Sequence, residues 1–93
     1  MVVGICRIEL HIPESRSLKD KRQVIKGIKD KIRNKFNVSI AEIGNNDLWQ
    51  RASLGVSIIS NDKKFATQVL CLVVDKINQE NGAVILDHNI EFV

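Results

Sequence analysis

Between Arg51 and Ile58 the chain alternates without a break: Ala52, Leu54, Val56 and Ile58 fall on one side, and Arg51, Ser53, Gly55 and Ser57 on the other. Period two is the side-chain spacing of a strand. A strand with one apolar and one polar side must cover a core with the first and present the second to water or a partner. In a chain of 93 residues, everything else has to supply that core.

The residues before it make a hairpin. Val38 and Ile40 alternate with Ser39, and Gly44-Asn45-Asn46-Asp47 follows as a turn, because these residue types tolerate positive φ or bond their own backbone. The stretch Phe36 to Ser57 therefore reads as strand, polar turn, strand, and it holds the chain's one tryptophan, Trp49. Val2 to Ile12 alternates as well, with Cys6, Ile8, Leu10 and Ile12 inward and Arg7, Glu9 and His11 outward, until Pro13 ends it. Leu86, Ile90 and Phe92 fall in phase in a last strand from Val84 to Val93.

Two segments change to helical period. Ser17-Leu18-Lys19-Asp20 resembles a capping box. Behind it Leu18, Ile25, Ile28, Ile32 and Phe36 fall within an arc of about 80°. Lys21 lies inside that arc and has to carry its charge outward along the helix. Ser60-Asn61-Asp62 starts the second helix, whose stripe is Phe65, Ala66, Val69, Leu70, Val73 and Ile77. Leu72 and Val74 widen its apolar arc to about 200°, more than one sheet covers. Asn81-Gly82 stops it.

The order is β-α-β-β-α-β in one domain spanning residues 1–93. With right-handed crossovers it gives an α+β, ferredoxin-like fold: a four-stranded antiparallel sheet with both helices on one face. The strands from Val2 and Arg51 are central, and those around Val38 and after Val84 are at the edges. The beginning of the chain, MVVGICRIEL, lacks a basic leader and is broken by Arg7 and Glu9, so a cytoplasmic protein is expected, with no membrane segment. Cys6 and Cys71, far apart in apolar contexts, are expected to be two buried thiols, with no CxxC pair or zinc site.

Charge is concentrated. Eight of the 14 basic residues lie between Lys19 and Lys35 with two of the 11 acids, Asp20 and Asp30, so the rest of the chain is net acidic. Lys19, Arg22, Lys26, Lys29 and Arg33, at steps of three and four, form one stripe beside the buried arc. This is either a solvated face or a phosphate-backbone site, with RNA the expected ligand. Five phosphate contacts give a log–log salt slope of about −4 to −5.

The open sheet face is a poor base-stacking platform. An RNA-recognition motif places aromatics at the centres of its two middle strands, where this chain has Arg7, Glu9, Ser53 and Gly55. Its apolar edges, Val3, Ile5 and Ile59, suit a protein contact, including a homodimer. Trp49 is expected in phase with Arg51 on that face. It either packs across the base of the hairpin or anchors an interface with Arg51, Ile5 and Arg7.

Enzyme chemistry finds no footing. His11 and His88 sit on different strands, and Glu9-x-His11 provides neither a nucleophile nor a metal set. The loop Ile12 to Ser17 has an arginine but no glycine, and Glu14 would repel an anion, unlike the phosphate cradle of acylphosphatase, which shares this topology. No P-loop, no dinucleotide fingerprint, no cofactor motif and no small-molecule substrate site is evident.

Read together, several stretches resemble the YlxP-like family of small bacterial proteins, a domain of unknown function. They are Ser17-Leu18-Lys19 with Lys21-Arg22, Phe36 to Glu42, Asp47 to Ala52, and Leu54-Gly55-Val56. The resemblance covers essentially the whole chain and implies a ferredoxin-like fold. Genes of that family often lie beside those for translation initiation and ribosome maturation factors, so it also implies a ribosome-linked role, with ribosomal RNA or a ribosome-associated protein as partner. It brings no catalytic residue. Gly44-Asn45-Asn46 departs from the more acidic or glutamine-bearing turn of the family.

Overall fold

The computed structural model describes all 93 residues. The elements are β1 (Val2–His11), α1 (Leu18–Lys35), β2 (Ser39–Gly44), β3 (Arg51–Ser60), α2 (Lys63–Asn78) and β4 (Val84–Phe92). The sheet is antiparallel with strand order β2-β3-β1-β4. This is the ferredoxin-like arrangement, with β1 and β3 central as the alternation of both strands requires. Cys6, Ile8, Leu10, Ala52, Leu54, Val56 and Ile58 face the helices and are buried together with Ile25, Ile28 and Ile32 of α1 and Ala66, Leu70, Val73 and Ile77 of α2. Full burial of each large aliphatic side chain contributes about 1.5–3 kcal/mol, so this single cluster is the main source of stability.

Local chemistry sets the helix ends. Ser17 is the N-cap of α1, and its hydroxyl accepts from the Asp20 backbone N–H at 3.0 Å. The Asp20 carboxylate returns to the backbone N–H of Arg16 (3.0 Å), one residue before the position a full capping box would use. Asp62 caps α2 through the Lys64 N–H. Gly82, at φ +92°, makes the positive-φ turn into β4 that a side chain would resist.

Three expectations need correction. Leu86 is not in phase with Ile90 and Phe92. The β1–β4 register shifts between Glu9 and Leu10, so that Asp87 pairs with Glu9 and Ile85 with Leu10. Leu86 is the extra residue of a bulge, is 51% exposed, and leaves Ile85 packed on the core. Phe65 is not core: it is about half exposed, as is Leu72, which lies where the apolar arc of α2 is expected to extend beyond the sheet. Only one thiol is buried. Cys71 is exposed on α2, whereas burial, with the Cys71 thiol nearby as a lesser cause, pushes the Cys6 thiol up to about 11.

Candidate functional site

The basic stripe is a real surface on the flank of α1 that borders β2. Lys19, Arg22, Lys26 and Arg33 are exposed and Lys29 is half-buried. Two of the five are engaged. Lys26 pairs with Asp30 at 2.9 Å one turn on, a solvent-exposed contact that contributes little. The Arg33 guanidinium donates to the Ile40 carbonyl of β2 at 3.0 Å. Lys19, Arg22 and Lys29 are held by no ion pair or side-chain hydrogen bond. Hydrogen bonding from Lys26 is the main cause that holds the Asp30 carboxyl below its ordinary range. Desolvation, the next largest cause, opposes it, while the charges of Lys26, Arg33 and Lys29 add to it. On the opposite flank Lys31 and Lys76 both reach Glu80, at 2.5 and 3.8 Å, and so tie α1 to the end of α2.

Lys21 does not carry its charge outward. It is fully buried, and its ammonium donates to the carbonyls of Asn45 (2.8 Å), Asn46 (3.2 Å) and Arg51 (3.3 Å). Glu42 Oε2 lies 3.0 Å from the same nitrogen yet has no hydrogen-bond partner. An ammonium has three N–H groups, and the three carbonyls take them, so Glu42 contributes charge compensation rather than a further hydrogen bond. The hairpin turn is thereby fastened to the first turns of α1.

Further bonds complete the fastening. Asn45 sits at φ 60°, and its side-chain amide donates to Ser53 Oγ at 2.9 Å and more weakly to Glu9 Oε2 at 3.4 Å. Ser53 Oγ donates to Glu9 Oε2 at 2.6 Å. This network covers Ser53 on the otherwise open sheet face and leaves it 8% exposed. Gln50 donates its side-chain amide to the carbonyls of Pro13 (3.2 Å) and Ser15 (3.1 Å). The Gln50 carbonyl accepts from the Ile12 N–H at 2.9 Å, and His11 Nδ1 lies 3.1 Å from the same oxygen, within donating distance.

The expected contact residues divide between two places. Ile5 and Arg7 lie on the open face, Arg7 paired with Glu91 at 3.5 Å between two exposed side chains. Arg51 begins β3 opposite His11. Trp49 does not share that strand. It lies in the turn before β3 and is 55% exposed, beside Leu48 at 49%. The Lys21 carbonyl cage went unread in the sequence. Its one signal is a lysine inside an apolar helical arc, which implies an internal acceptor as readily as an outward reach.

The family model described as a protein of unknown function, DUF503, matches residues 3–90. The chain belongs to this family. The DUF503 chain is 45% identical over 62 residues to the Bacillus subtilis (strain 168) protein "Uncharacterized protein YlxP", and the match takes in 67% of each chain. It also resembles the solution structure of a de novo designed protein with a ferredoxin fold, at a TM-score of 0.54 and 10% identity, covering 100% of this chain and 84% of that one. That likeness concerns the fold alone. No helix of this DUF503 domain is long and apolar enough to cross a membrane.

Proposed function

We propose that this domain is a non-enzymatic binding module that takes the phosphate backbone of RNA, ribosomal RNA foremost, on the β2-side flank of α1. The observation that carries the reading is the stripe Lys19, Arg22, Lys26, Lys29 and Arg33 on one exposed flank of a molecule that is otherwise net acidic. Sparse use of these cations inside the fold supports it, since three of them have no other partner. The test is filter binding of structured small-subunit RNA at two salt concentrations. A variant with Lys19, Arg22 and Lys29 all replaced by alanine loses affinity and flattens the log–log salt slope by about 2 to 3. Unchanged binding by that variant sinks the reading.

A second reading, homodimerisation through the open sheet face, is favoured by one feature. Ile43 lies across Gly55, where an added Cβ would come within 3.1 Å of it. Together with Ile5 and Ala41 it lines a shallow apolar groove in the middle of the face. Ile59 is 70% exposed nearby on β3. Sedimentation equilibrium decides: a strict monomer at high micromolar concentration rules the dimer out, and Ile43→Lys should dissociate one that forms.

A further inference from the structure

An indole left half in water is usually a side chain that had nowhere to go. The turn carrying Trp49 is of another kind, because the backbone on both sides of it is fixed. Upstream, the carbonyls of Asn45 and Asn46 are bound by the buried Lys21 ammonium, and the Leu48 N–H closes onto the Asn45 carbonyl at 3.1 Å. Downstream, the Gln50 carbonyl takes the Ile12 N–H, with His11 Nδ1 within donating distance, the Gln50 side chain spans two carbonyls of the loop 13–15, and the Arg51 carbonyl returns to Lys21. A turn held at this many points has a fixed backbone, and its apolar tip stands about half exposed. It keeps Leu48 and Trp49 presented outward, with the ordering entropy already spent in folding.

Several exposed cations lie around this tip. Lys21 reaches the turn from the first turns of α1, so the turn sits at the end where the stripe begins, with Lys19 and Arg22. Arg51 follows two residues after Trp49, and Arg16 belongs to the loop that Gln50 grips. The freely exposed opposing carboxylates are Asp47 and Glu14, while Asp20 and Glu9, although hydrogen-bonded, also carry negative charge. Asp20 is committed to the Arg16 N–H, and Glu9 and Glu42 to the networks beneath the turn. An apolar groove on a protein partner would accept Leu48 and Trp49 without needing cations. A base with phosphates on either side needs both a flat apolar face and cations. Bases inside a duplex offer no free face, so the ligand is single-stranded.

We propose that Trp49 is the stacking platform for an unpaired base of a single-stranded RNA segment whose neighbouring phosphates run onto the stripe from Lys19 to Arg33, about 21 Å along the helix. This inference rests on the phosphate-binding reading and adds the nucleotide specificity of that surface, for unpaired over paired strands. It also gives the domain an aromatic contact where the sheet face has none.

Trp49 is the only tryptophan and the chain has no tyrosine, so intrinsic emission reports on this one ring. Full-length protein is titrated with an oligouridylate of about eight nucleotides, the single-strand scale of such sites, and with an RNA duplex of the same length. Labelled-strand anisotropy runs in parallel. Expected are quenching of Trp49 by the single strand alone and weakening of single-strand binding by about 5- to 150-fold in Trp49→Ala. The salt slope of Trp49→Ala should not change, and Trp49→Phe should retain most of the affinity. Far-UV circular dichroism verifies that both variants fold. Wild-type affinity in Trp49→Ala, or binding without quenching that still depends on Lys19, Arg22 and Lys29, overturns the stacking role and leaves the phosphate reading standing. No binding by any RNA overturns both. An emission shift that follows protein concentration instead of RNA assigns Trp49 to self-association and overturns the inference.

Discussion

Replacing Lys21 with methionine keeps the length of the side chain and removes its charge and three donors. The carbonyls of Asn45, Asn46 and Arg51 lose their partner, and Glu42, whose side chain is 16% exposed, loses the cation beside it. Removing one partner of a buried ion pair costs about 3–5 kcal/mol. Asn46 and Arg51 are near solvent and can recruit water, so the lower part of that range, about 3–4 kcal/mol, is expected. For a domain of this size that lowers Tm by about 12–30 °C, a large share of a total stability of about 5–15 kcal/mol. Glu42→Gln leaves the ammonium with all three carbonyls but without its counter-charge, and should cost less, about 1–3 kcal/mol. Urea unfolding followed by circular dichroism measures both, and Trp49 emission reports whether the turn loosens first. A loss below about 1 kcal/mol in Lys21→Met, or one no larger than in Glu42→Gln, refutes the claim that the ammonium ties the turn to α1.

Three smaller perturbations test other parts of the structure. Gly4→Ala places a methyl 3.0 Å from Leu70 Cδ1 and 3.1 Å from Phe92 Cε1 in the packed interior, and thermal melting should register a loss of about 1–3 kcal/mol. In native protein at pH 8 a thiol-disulfide reagent should titrate one cysteine quickly, Cys71, and reach Cys6 only after denaturation, because a thiol pushed up to about 11 is about one-thousandth thiolate there. The Asp30 carboxyl has a lower pKa folded than unfolded. Its contribution to stability is therefore present above its ordinary value of 3.8 and is withdrawn as pH falls through the lower folded value. NMR titration should place its midpoint below 3.8, and Asp30→Asn, by releasing Lys26, should steepen the single-strand salt slope by about 0.7.

Much of the fold was legible because both central strands alternate strictly and both helix starts carry a capping side chain. Ser17 and Asp62 set the N-termini of α1 and α2 as expected. What escaped shares a cause: it depends on where the backbone runs, which no side-chain pattern records. The bulge at Leu86 follows from pairing with β1, and an apolar residue there reads like any inward one. Lys21 finds acceptors that are main-chain carbonyls of a turn distant in sequence. Phe65 reads as core from its place in the helical stripe of α2, and the sheet beneath covers only part of that stripe. For the candidate site, the stripe on α1 needed helical spacing alone and was visible, whereas the position of Trp49 depended on where β3 begins, at Arg51.

The two outer strands bear on how this chain behaves when crowded. A sheet grows by adding a strand to a run of free donors and acceptors, and such edges are where proteins aggregate. On β2, six residues long, the Arg33 guanidinium already occupies the Ile40 carbonyl. On β4 the bulge at Leu86 bends the strand and twists it away from a flat template. Neither margin is a regular ladder, so edge-to-edge stacking of copies into fibres is disfavoured. Yet a phosphate that draws Arg33 away would free the β2 carbonyl. In such a molecule, ligand occupancy and the guarding of an edge share one side chain.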